Sequence, residues 1–155
     1  MSERIYTTRA LVLSERASGE ASKVFTLFTR ELGLVYAYAR SVREVRSKLR
    51  YNLPLYSHTL VSLVPGREYW RLVGAENSER GISAELCRFI CRFMGEHEPH
   101  VDIFDMLTVG VTGQDGNERE LKLNILDKLG YVGVRAESDK HREQLIEQGI
   151  YASHL

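Results

Sequence analysis

Arg40, Arg43, Arg46, Lys48 and Arg50 fall within eleven residues, with Tyr36 and Tyr38 just before them and Tyr51 and Tyr56 just after. Cations neutralise phosphates and flat rings stack on bases, so the mixture suits a polyanion that also offers bases. Arg40, Arg43, Arg46 and Arg50 recur every three or four residues, and Val42, Val45 and Leu49 do the same on the opposite side. Wound as a helix, the segment has one charged and one apolar stripe. Drawn out as a loop, its arginines track successive phosphates. A charged face that meets only solvent has the same composition, and the residues alone leave these readings open.

Cys87 and Cys91, followed by His97 and His100, are zinc-ligand types within fourteen residues. The usual paired short-spacing motif is absent, however, and a separation of four puts both thiols on one face of an apolar helix, where cysteine packs as a small core residue. Asp102 and Asp105 match the acidic start of a helix better than a metal site. The chain has no phosphate-cradling glycine loop, nucleophile elbow or paired-His zinc helix. Its five histidines have no recognisable Ser or Cys partner. The expectation is a binding protein rather than an enzyme, with no metal, no cofactor and no small-molecule substrate.

Net charge over the 155 residues is zero, but the average conceals a division. Residues 1–80 hold 13 Lys and Arg against 8 Asp and Glu, a net of +5, whereas residues 81–155 hold 8 against 13, a net of −5. A polyanion-binding half is expected to precede an acidic one. The same division also suits two halves that attract each other. With two cysteines, no apolar signal core and no stretch long enough to cross a bilayer, the expected compartment is reducing and cytoplasmic, without membrane association.

Positioning these residues requires strands first and helices later. Residues 5–14, 23–30, 34–39, 59–64 and 68–73 are rich in β-branched, aliphatic and aromatic side chains. Pro65, Gly66 and Arg67 make the turn of a hairpin. Five strands in fewer than eighty residues predict a small barrel. Leu34, Tyr36 and Tyr38 share one face of their strand, and the two tyrosines either form an exposed platform or, as is the default for large aromatics, fill the core together. Tyr69 and Trp70 point to opposite faces, one into the barrel and the other available for stacking. Beyond Asn77 the period changes. A helix capped by Ser78 or Ser83 carries Ile82, Leu86, Phe89, Ile90 and Phe93; a second runs from Val101 to Gly113; a third ends at Gly130; and a polar fourth covers residues 138–148. The fold class is α+β, a β-barrel over residues 1–78 followed by a small helical domain over residues 79–155.

The order ALVL at 10–13, GEASKVFTLFTRELG at 19–33, SKLR at 47–50 and LPLY at 53–56 resembles the N-terminal domain of the bacterial RecO recombination mediators. ELKLNILDKLGY at 120–131 is similar to the helical segment of the same family. The resemblance implies an oligonucleotide/oligosaccharide-binding (OB) barrel joined to a helical domain. It also implies a non-enzymatic, nucleoid-associated role in DNA repair: binding single- and double-stranded DNA, annealing complementary strands and, with RecR, loading recombinase onto strands coated by single-strand-binding protein. Carried over position by position, Lys23, Arg40, Arg43, Arg46, Lys48 and Arg50 match the family's basic positions and are the candidate DNA contacts. Family members usually continue into a larger helical domain, often with a four-cysteine zinc cluster that this chain lacks, so a shortened member is expected. Two further classes stay open. One is an interaction adaptor that uses the basic barrel face and the acidic half without touching DNA; the other is a small metal-dependent hydrolase built on Asp102, Asp105 and the histidines.

Overall fold

The computed structural model describes residues 4–42, 49–109 and 118–130. Apolar alternation produces five strands: β1 (Tyr6–Ser18), β2 (Ser22–Thr29), β3 (Gly33–Ala39), β4 (His58–Val64) and β5 (Trp70–Glu79). They close into a barrel in the order β1-β2-β3-β5-β4. Neighbours are antiparallel except β3 and β5, whose parallel pairing matches Ala37 with Trp70 and Tyr38 with Arg71. This is the topology of an OB-like barrel. A single 3-10 turn, Leu49–Asn52, lies on the crossover between β3 and β4.

β1 is long enough to pair with β2 at one end and β4 at the other, from Tyr6 opposite Leu63 to Ser18 opposite Ser22. Its register with β2 slips between Val12 and Ser14. Such a bulge bends the strand, and the bend helps close a sheet this narrow. β5 outruns the predicted 68–73 segment because Asn77 adopts φ 55 and a second bulge absorbs it, so Ser78 remains in the strand. The helix therefore starts at the other candidate cap: Ser83 accepts from the Leu86 amide at 3.2 Å and opens α1 (Ala84–Phe93).

Inside the barrel pack Ala10, Val12, Phe25, Leu27, Val35, Ala37, Ala39, Val61, Leu63 and Leu72, closed at one end by Val42 and Leu53. Burying Phe25 contributes roughly 1.5–3 kcal/mol. The alternation in β3 is as predicted, but its sense is reversed. Val35, Ala37 and Ala39 face the core, while Tyr36 is 36% exposed and Tyr38 half-buried. A five-stranded barrel has a narrow interior that Phe25 and the leucines already fill, so β3 contributes its small side and the tyrosines turn outward. Trp70 packs against the core and meets Tyr6 edge-on at 5.4 Å, leaving Tyr69 on the other face.

The remaining buried side of β1 and β2 is covered by helices. α1 packs against β1 and buries Leu86, Cys87, Phe89, Ile90 and Phe93. α2 (Val101–Val109) sets Phe104 against Phe28 at 5.7 Å, and its Asp105 takes a two-pronged bond from Arg30, 2.8 Å to Nε and 3.1 Å to Nη2. Between these helices, the His97 amide donates to the Leu34 carbonyl at 3.0 Å. Gly33 lies so near the Glu98 backbone that a Cβ would collide with it.

The chain divides into two compact units, residues 1–108 and residues 109–155. In the second, α3 (Glu118–Lys128) buries Ile125 and Leu126 and is followed by Gly130 at φ 85, a left-handed stop. The helix predicted over 138–148 and the predicted end of the second helix at Gly113 lie outside the described residues.

Candidate nucleic-acid interface

Strand register assembles the outward face of β1, β2 and β3. Ser14 lies opposite Thr26 and Thr26 opposite Tyr36, while Arg16 lies opposite Val24 and Val24 opposite Tyr38. Two rows of side chains thus cross the sheet, each ending in a tyrosine. The connection between β4 and β5 adds Tyr69, whose hydroxyl accepts from Arg16 Nη2 at 2.5 Å. The same guanidinium lies 5.6 Å from the Tyr69 ring centroid, a cation over a π face. Arg16, Val24, Thr26, Tyr36 and Tyr69 line an open groove of about 270 Å³.

A second groove, of about 480 Å³, lies at the end of the barrel closed by Val42 and Leu53, bordered also by Phe25, Pro54, Leu55 and Lys23. Lys23 Nζ donates to Glu15 Oε1 at 2.8 Å. Glu15 sits opposite Phe25, a core residue, so it belongs to the inward pleat of β1 while Ser14 and Arg16 belong to the outward one.

Three of the six expected DNA contacts are among the described residues. Lys23 borders the second groove and is ion-paired; Arg40 is exposed in the turn that leaves β3; and Arg50 belongs to the 3-10 turn Leu49–Asn52. Arg43, Arg46 and Lys48 lie outside the described residues, as does Val45. Of the three apolar residues of the run, Val42 is buried and Leu49 packs against the barrel core. At the start of the run, the Ser41 amide donates to Ser22 Oγ at 3.0 Å, tying the turn to the start of β2. Tyr36 and Tyr69 carried a stacking signal in the sequence. Arg16 and Thr26 carried none: Arg16 is twenty residues from Tyr36, and only the register of three strands joins them.

Cys87 and His97 are engaged elsewhere. Cys87 is buried in α1, and burial, assisted by nearby Cys91 and opposed by Arg88, pushes its thiol up to about 12. His97 Nε2 accepts from Trp70 Nε1 at 3.1 Å. Asp102 stands in the first turn of α2, and the Arg30 guanidinium holds the Asp105 carboxyl below its ordinary range. Among the described residues, no three His, Cys, Asp or Glu side chains come together to hold an ion. Among the same residues, no helix is long and apolar enough to cross a membrane.

Residues 1–79 match the family model described as Recombination protein O N terminal. The chain belongs to the RecO family. The match to the RecO model ends at Glu79, the last residue of β5, and so spans the whole barrel. The DNA repair protein RecO of Dehalococcoides mccartyi is 25% identical over 165 residues, covering 96% of this chain and 65% of the relative. That of Heliobacterium modesticaldum is 31% identical over 144 residues, covering 83% of this chain and 52% of the relative. The chain thus spans between about half and two thirds of the length of these RecO relatives.

Proposed function

We propose that this chain binds single- and double-stranded DNA as the barrel-bearing part of a recombination mediator, promotes annealing of complementary strands and assists recombinase loading during DNA repair. RecR and single-strand-binding protein are the expected partners, and the cytoplasm, at the nucleoid, the expected location. The carrying observation is that one end of an OB-like barrel, within a half of net charge +5, presents Arg40 and the 3-10 turn bearing Arg50 on either side of a run rich in arginine. The name DNA repair protein RecO borne by both relatives supports the same reading.

Annealing needs no covalent chemistry. Two strands repel through their phosphates; Lys23, Arg40, Arg43, Arg46, Lys48 and Arg50 lower that repulsion by replacing condensed counterions. Tyrosine rings on the adjoining face hold bases unpaired until a complement arrives. Each lost phosphate contact flattens the plot of log affinity against log salt, by about 0.7 on single strands and about 0.9 on duplex. Arg43→Glu with Arg46→Glu is therefore expected to weaken binding and flatten the slope by about 1.4 and about 1.8 respectively, read by fluorescence anisotropy across a salt series. Unchanged affinity and slope in the double variant would remove the run from the interface.

A further inference from the structure

The interface holds two surfaces with different chemistry. We propose that the groove between Arg16, Tyr36 and Tyr69 seats an unpaired base, so that the chain tells single strand from duplex by stacking while the basic run answers to the phosphates of either. This rests on the nucleic-acid reading above and assigns that reading a second, separable site.

Three observations carry it. First, Tyr36 ends a row of side chains on the outward face of β1, β2 and β3 and is 36% exposed, with the groove open beside it. Its neighbours on the same face of β3 are less open, Leu34 being buried and Tyr38 half-buried. A phenol ring left open next to a concavity has unspent stacking capacity, and a base offers the flat partner it lacks.

Second, the facing wall is prearranged. Tyr69 is fixed by the 2.5 Å bond from Arg16, whose guanidinium lies over its ring. A cation beside an aromatic wall suits a nucleotide, because the ring takes the base and the charge takes the phosphate attached to it. Ordering this wall before binding lowers the entropy lost when a base enters.

Third, the polar lining does not choose among bases and does not repel them. Thr26 and Ser14 offer hydroxyls, which donate or accept as needed. Glu15 also borders the groove, but it lies on the opposite pleat and its carboxylate bonds Lys23 at 2.8 Å. The site should therefore accept any base by its π face and read little of its edge. In a duplex those faces are already stacked between neighbours, leaving only phosphates to bind.

The experiment compares three labelled ligands of equal length by anisotropy on the 155-residue chain: a mixed-sequence single strand, its duplex, and a single strand with abasic sites but an intact phosphate backbone. Tyr36→Ala should weaken binding to the ordinary single strand by about 5- to 150-fold. It should leave the duplex, the abasic strand and the salt slope unchanged, and Tyr36→Phe, which keeps the ring, should bind like the parent. Tyr69→Ala provides the same comparison from the facing wall. Equal losses on all three ligands, or no loss on the single strand from either alanine variant, would overturn the base-seating groove while leaving DNA binding intact. If the parent chain binds none of the three at low salt, the nucleic-acid reading itself fails, and this inference with it.

Discussion

Replacing Glu15 with glutamine should strengthen DNA binding, because Lys23 is a candidate phosphate contact already in use. Its ammonium lies 2.8 Å from Glu15 Oε1, with the two side chains 28% and 27% exposed. A phosphate approaching Lys23 must compete with that carboxylate. Glu15→Gln keeps the shape of the side chain, removes the competitor and raises the net charge of residues 1–80 from +5 to +6. One added contact steepens the single-strand salt slope by about 0.7, so raising salt from about 50 to about 200 mM should cost the variant roughly threefold more affinity than the parent. Low-salt affinity should rise. Stability should fall by no more than ~1 kcal/mol, the ordinary worth of a part-exposed ion pair. Anisotropy titrations at four salt concentrations, with a denaturant melt of each protein, measure all three quantities. A lower affinity, or an identical slope, would refute a role for Lys23 at the interface and leave the pair as a structural bridge between β1 and β2.

Two further outcomes test how the barrel is built. Gly33→Ala should destabilise the chain, by about 1–2 kcal/mol from its φ of 73 alone and further from collision with the Glu98 backbone; a denaturation midpoint equal to the parent's would contradict the close approach. His58 lies edge-on to Phe104 at 5.6 Å with Nε2 buried and unpartnered, and burial, then the charge of Arg9, lower its pKa against an upward pull from Glu79. The unfolded chain then takes up the proton more readily, so stability is whole above about pH 6.5 and is lost as pH falls through that value towards the lowered folded pKa. Denaturation midpoints from about pH 7.5 to about pH 5.5 should fall in the parent and fall less in His58→Phe, which keeps a ring against Phe104. Parallel trends in the two proteins would refute this assignment.

Local pattern alone determined much of this protein. Alternation over residues 34–39 specified a strand and grouped its side chains correctly, because successive Cβ atoms must point to opposite sides. The spacing of Leu86, Phe89, Ile90 and Phe93 specified α1 and its buried face for an equally local reason, while the choice of Ser83 over Ser78 as its cap followed from the length of β5. The order of short segments from residue 10 to residue 56 was enough to recognise the family. Tertiary structure decided which side of β3 lies inside, since the choice depends on how much room Phe25 and the leucines of other strands leave in a closed barrel. It also carried β5 past Asn77 and Ser78, where the local signal favoured a break but pairing with β4 continued through a bulge. The groove is the clearest case. Arg16, Thr26, Tyr36 and Tyr69 are far apart in the chain and carry no shared periodicity, because they meet through strand register and the connection between β4 and β5. The cations could be read directly as a run; a concave site made by closing a barrel is a property of the closure.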